Sequence, residues 1–126
     1  MPLIKGRLYS WTRIVEETGA DGSPPFYLLH RGCDVVAGCF TLELNPEAPL
    51  VVLAGNGPKI SEAADHFCAQ LVSIPVFVRS GNEDWLYCGD FRLLRQSTNP
   101  EEIRHYSARA KRADVYKILF LEEVTS

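Results

Sequence analysis

No Cys-x-x-Cys pair occurs in this chain: Cys33, Cys39, Cys68 and Cys88 are scattered, and His30, His66 and His105 do not cluster with them. Zinc sites draw their ligands at short, regular spacings, so no metal is expected and reduced structural thiols are. Cys33, Cys39 and Cys88 lie among strand-like residues, where a thiol behaves as a small buried hydrophobe. No apolar run approaches the roughly 20 residues that cross a bilayer. Met1-Pro2-Leu3-Ile4-Lys5-Gly6 has neither the apolar stretch nor the small-residue cleavage site of a secretory signal, so a soluble, cytoplasmic protein is expected, without a membrane partner. Basic residues are in short supply. Thirteen Lys and Arg against 16 Asp and Glu leave a net charge of −3, which argues against a protein that coats nucleic acid indiscriminately. There is no repeat, low-complexity tract or dividing linker, and 126 residues at 46% hydrophobic content suit one domain over 1–126.

What the chain does have is a row of aromatic residues that turns basic: Trp85-Leu86-Tyr87-Cys88-Gly89-Asp90-Phe91-Arg92-Leu93-Leu94-Arg95. Side chains alternate faces along a strand, so Trp85, Tyr87 and Phe91 are expected on one face, with Gly89 a gap between the rings. Such a gap either admits a flat ligand or is a bulge in an ordinary core, the commoner case. From Arg92 to Arg112 the cations Arg92, Arg95, Arg104, Arg109, Lys111 and Arg112 face only Glu101 and Glu102, which predicts a basic face on an acidic protein.

The remaining elements follow from caps and periodicity. Leu3 to Tyr9 reads as a strand; Ser10 caps a short helix through Thr18 that Gly19 stops. Residues 20–25 are loop by composition, and Phe26 to Arg31 with Asp34 to Leu44 form a hairpin turning at Gly32-Cys33. Pro46 and Pro49 force the chain out of the sheet before a buried strand from Leu50 to Ala54. Ser61 is expected to cap a helix burying Ala64, Phe67, Cys68 and Leu71, with Glu62, Asp65, His66 and Gln70 on its polar face. Ile74 to Val78 and Trp85 to Arg95 are neighbouring strands; Asn99-Pro100-Glu101-Glu102 starts a helix to about Arg112, and Val115 to Leu121 is the last strand. About seven strands and three short helices without strict alternation give an α+β fold with a curved, mostly antiparallel sheet or open pseudo-barrel.

No complete catalytic signature is present. Asp65-His66 and Cys68 invite a nucleophile and base, but residues two apart on a helix point about 200° from one another. His66 is therefore expected at the surface and Cys68 in the core. Glu83, Asp84 and Asp90 supply oxygen ligands of the kind that hold Mg²⁺ in nucleases, yet no lysine stands at nuclease-like spacing and a solvated acidic turn accounts for them. Gly55-Asn56-Gly57-Pro58-Lys59-Ile60-Ser61 opens a helix after a buried strand, where backbone amides can hold a phosphate with Lys59 as the point charge. Its spacing is not that of a P-loop, and turn chemistry alone explains its glycines.

The order of elements and the pattern Trp85-x-Tyr87-x-Gly89-x-Phe91 before a basic strand end resemble the PUA-like superfamily, in particular modified-base-reading modules of the SRA and ASCH kind. The likeness spans most of the chain in architecture through short motifs. Where SRA modules carry Tyr-Asp-Gly, this chain has Tyr87-Cys88-Gly89-Asp90. The resemblance implies a pseudo-barrel that binds nucleic acid and holds a flipped base in an aromatic pocket.

Base binding needs stacking faces, a fixed polar group for the base edge and cations for phosphate. Trp11, Trp85, Tyr87 and Phe91 are candidates for the first, Asp90 or Asn56 for the second, and Arg92, Arg95, Arg104, Arg109 and Arg112 for the third. No cofactor is expected. The competing expectation is a small enzyme or accessory protein acting on a nucleotide-like molecule in the same pocket, with His66 or a carboxylate as acid or base. In the blandest case, the rings are core and the arginines a solvated helix face.

Overall fold

The computed structural model describes residues 3–21, 28–32 and 34–124. In chain order the elements are β1 (Leu8–Tyr9), α1 (Trp11–Thr18), β2 (Leu28–Arg31), β3 (Asp34–Thr41), β4 (Val51–Gly55), α2 (Pro58–Gln70), β5 (Ile74–Arg79), β6 (Trp85–Ser97), α3 (Pro100–Ala110) and β7 (Val115–Glu123). The expected loop and strand start at 22–27 and the hairpin turn at Cys33 lie outside the described residues. Among the described residues no helix is long and apolar enough to cross a membrane.

Local chemistry explains the helix ends. Ser10 Oγ accepts from Arg13 N, and Gly19, left-handed at φ 73°, donates its N–H to Val15 O. Asn99 Oδ1 accepts from Glu101 N and Glu102 N, with Pro100 at the first position. That helix ends at Ala110, short of Arg112, because Lys111 turns left-handed at φ 55°. In α2 the cap is Gly57, not Ser61: Pro58 is already set for the first turn, and Ser61 Oγ donates back to Pro58 O. Leu71 is not on the buried face either. It is the left-handed cap residue and 79% exposed, while Ala63, Ala64, Phe67 and Cys68 are buried.

The strands form one curled sheet, a half-barrel, in the order β2-β3-β5-β6-β7-β4 with β1 on β6; β3–β5 is parallel and the other pairs are antiparallel. The fold is thus the expected α+β curved sheet, and β5 pairs with β6 as the short turn between them requires. Adjacent residues divide into two apolar clusters, as pleating demands. Leu28, Phe40, Val76, Phe91 and Leu119 pack with Phe67 of α2, whereas Leu29, Cys39, Phe77, Trp85 and Tyr87 pack with Ile14 of α1. Since α2 touches both edge strands, β2 and β4, it lies within the curl.

Phe91 therefore does not share a face with Trp85 and Tyr87. Val76 pairs with Gly89 and Phe77 with Tyr87, so Cys88 is an extra residue, and this bulge reverses the alternation. Gly89 sits at φ 114°, with Glu123 Oε2 only 3.1 Å from where a Cβ would be. Val36 and Leu94 are extra residues of the same kind. Gln70 of α2 clasps the strand beside Val36, accepting from Val35 N and donating to Val35 O.

Side chains bring β4 back to the end of β3. Asn45, 4% exposed, accepts from Leu53 N at 2.8 Å, and Arg112 Nη1 donates to both Leu44 O (3.0 Å) and Leu53 O (3.1 Å).

Candidate ligand-binding cavity

Where β4 meets the ends of β3 and β5, the sheet leaves a cavity of about 540 Å³. Trp11 enters it from the first turn of α1, Cys39 and Thr41 from β3, Arg79 from the end of β5 and Trp85 from the start of β6. Leu44, Asn45, Leu53, Gly55, Ile60, Lys111, Arg112 and Asp114 complete the lining. The size suits a nucleoside or other small ring system, since ligand sites commonly run about 300–1,000 Å³.

The two indoles form a wedge, their centroids 6.2 Å apart and their planes inclined at 47°. Arg79 Cζ lies 4.3 Å from the Trp85 ring centroid. Its Nε is buried without a hydrogen-bond partner, and among the described residues its guanidinium makes no ion pair. The turn after β5 is held by Glu43, which accepts from Gly81 N at 2.6 Å; that backbone bond, more than any other influence, holds its carboxyl below the ordinary range. Burial pushes the Cys39 thiol far up despite the Arg79 charge, so it is a neutral wall and not a nucleophile. Both Asp114 oxygens accept from Arg112, which keeps that carboxyl below its usual value.

The sequence candidates separate in space. Trp11 and Trp85 line the cavity. Tyr87 is packed 5.2 Å from Phe77, centroid to centroid, and its hydroxyl donates to Asp90 Oδ1 at 2.6 Å, so neither Tyr87 nor Asp90 borders the cavity. Phe91 is in the α2-side core. Asn56 and Lys59 are exposed at the start of α2, outside the lining. The basic face is largely neutralised: Arg92 pairs with Glu122, Arg95 with Glu102 and Arg109 with Glu47. Arg95 also lies over the Phe120 ring, 3.8 Å from its centroid. Arg104 is exposed on α3. Arg112 does line the cavity, but its guanidinium is committed to Asp114 and two carbonyls.

Sequence reasoning missed Arg79 and Asn45. Arg79 had a signal, being a cation two residues after Phe77 and hence on the same face of an apolar strand. Asn45 had only its place before Pro46.

Among the described residues His66 stands beside Glu62, 3.8 Å away, and the His30 ring. Cys68 is buried with its thiol pushed up, chiefly by burial, and Asp65 Oδ1 is engaged by Lys117 Nζ and lies within reach of the Tyr116 hydroxyl, each at 2.8 Å. Among the described residues no three His, Cys, Asp or Glu side chains converge as metal ligands. No protein-family model, curated protein or solved structure matches the chain.

Proposed function

We propose that this chain is a nucleic-acid-binding module of PUA-like form, a non-enzymatic binder that takes one unpaired or modified base into the cavity that Trp11 and Trp85 line. The single observation that carries this is the wedge of two indoles with a guanidinium over one of them whose Nε has no hydrogen-bond partner among the described residues. Aromatic faces offer stacking of about 1–3 kcal/mol per base, and Arg79 offers donors to the base edge or its phosphate. The strand's backbone would run past Lys111 toward Arg109 and Arg104. The Arg109–Glu47 pair, at 3.5 Å and exposed, is worth no more than about 1 kcal/mol, so exchanging Glu47 for a phosphate costs little.

The pairing of Arg92, Arg95 and Arg112 favours a second reading, a free nucleotide-like molecule as ligand. Salt separates the two. Both tryptophans of the chain line the cavity, so tryptophan fluorescence, excited clear of the five tyrosines, reports on the site. Short single-stranded oligonucleotides, with and without modified bases, are titrated at several salt concentrations beside mononucleotides. A strand binder loses affinity with a log-log slope of about −0.7 per phosphate contact. Mononucleotide binding with no gain from added phosphates would overturn the strand reading in favour of the small ligand. Silence toward both would overturn base binding.

A further inference from the structure

We infer that the cavity selects planar ligands presenting carbonyl oxygens, so that oxo-bases are taken in preference to amino-bases; this rests on the base-binding reading above. The reason is the inventory of polar groups left uncommitted in the wall. Arg79 has only donors to offer, and among the described residues none of them has an acceptor. Asn45 spends Oδ1 on Leu53 N, which leaves its amide nitrogen, again a donor, without a partner among the described residues. The wall's one carboxylate, Asp114, already accepts from Arg112 at both oxygens, so its charge is spent on that pair. Cys39 stays protonated, and Lys111 at the rim adds only donors. Thr41 alone can serve either way.

An adenine or cytosine edge turns an exocyclic amino group toward these donors, and that group finds no acceptor among them. Hypoxanthine and uracil place an oxygen at the corresponding position. Sites built to hydrogen-bond one group reject the analogue that lacks it strongly, because buried polar groups are then unpaired.

The experiment uses four uncharged nucleosides in two nearly isosteric pairs, inosine with adenosine and uridine with cytidine, followed by tryptophan fluorescence and calorimetry, with inorganic phosphate as competitor. Inosine and uridine are expected to bind at least about tenfold tighter than their amino partners. In Asn45→Asp the bond from Leu53 N is kept while the donor becomes an acceptor, so the preference should shrink or reverse. A thermal melt confirms that the variant folds, and Arg79→Lys, which keeps charge but not the planar fork, is a second variant expected to narrow the ratio. Equal binding within each pair, or displacement by phosphate alone, overturns the selectivity and leaves base binding standing. Failure of all four nucleosides and of oligonucleotides removes base binding itself.

Discussion

Arg79 lies over the Trp85 indole with its Cζ 4.3 Å from the ring centroid, the two residues facing one another one step beyond the Val78–Leu86 pair of neighbouring strands. A partly desolvated cation–π contact of this kind contributes about 0.5–2 kcal/mol and fixes the orientation of both groups before a ligand arrives. The strand pairing, not a loop, thus sets the cation and the stacking face.

Trp11 is half-buried at the start of its helix, whereas Trp85 is 6% exposed within a core cluster. Trp11→Ala should weaken base binding by about tenfold or more, in line with the energy of one base stack, while the protein stays folded. Trp85→Ala should instead cost about 3–5 kcal/mol of stability, as removal of a buried large ring does. Calorimetric titration beside urea denaturation separates the two effects.

Arg112 holds Leu44 O and Leu53 O together, with only 12% of its side chain exposed. Arg112→Ala removes both bonds and leaves the carbonyl of buried Leu53 unpaired, so it is expected to lower stability by about 1–3 kcal/mol. Arg104→Ala, on the exposed face of α3, should change it by less than about 0.5 kcal/mol. Urea midpoints of the two variants test the contrast.

Gly89 occupies φ 114° beside a bulge, with the Glu123 carboxylate 3.1 Å from a Cβ placed there. Gly89→Ala should cost about 1–3 kcal/mol from backbone strain alone. A variant melting within a degree of the parent would show that this bulge relaxes freely.

Asp65 joins α2 to β7 through Lys117 and Tyr116, and the Lys117 bond is the main reason its carboxyl sits below its ordinary value of 3.8. A carboxyl depressed in the folded state contributes stability that is complete above the unfolded value and is lost as pH falls through the folded one. Stability measured by urea should therefore fall below about pH 4, and Asp65→Asn should flatten that acid limb. At neutral pH the same variant should lose less than about 1 kcal/mol, because the carboxylate is more than half exposed.

Much of the fold was legible in the chain because its signals are local. Ser10 with Gly19 and Asn99 with Pro100 bracket or start their helices through bonds to residues within four positions. The run from Trp85 is a strand, and its neighbour is the strand a short turn away. Trp11 and Trp85 could be suspected as site residues because they are the chain's two tryptophans, one beside a cap and one opening the aromatic row.

Which side chains share a space was decided only in three dimensions. The extra residue Cys88 exists by reference to the partner strand, and it sends Phe91 to the opposite face from Trp85 and Tyr87. Arg92 and Arg95 form a basic stretch in sequence, but the carboxylates that pair with them, Glu122 and Glu102, come from β7 and α3. Asn45, Arg79 and Arg112 meet because the twist of successive strands accumulates until β4 returns to the end of β3. Caps and alternation act over a few residues and so are written in the order of the amino acids. Bulges, ion pairs and curl depend on what lies across the sheet, and only the folded chain supplies that.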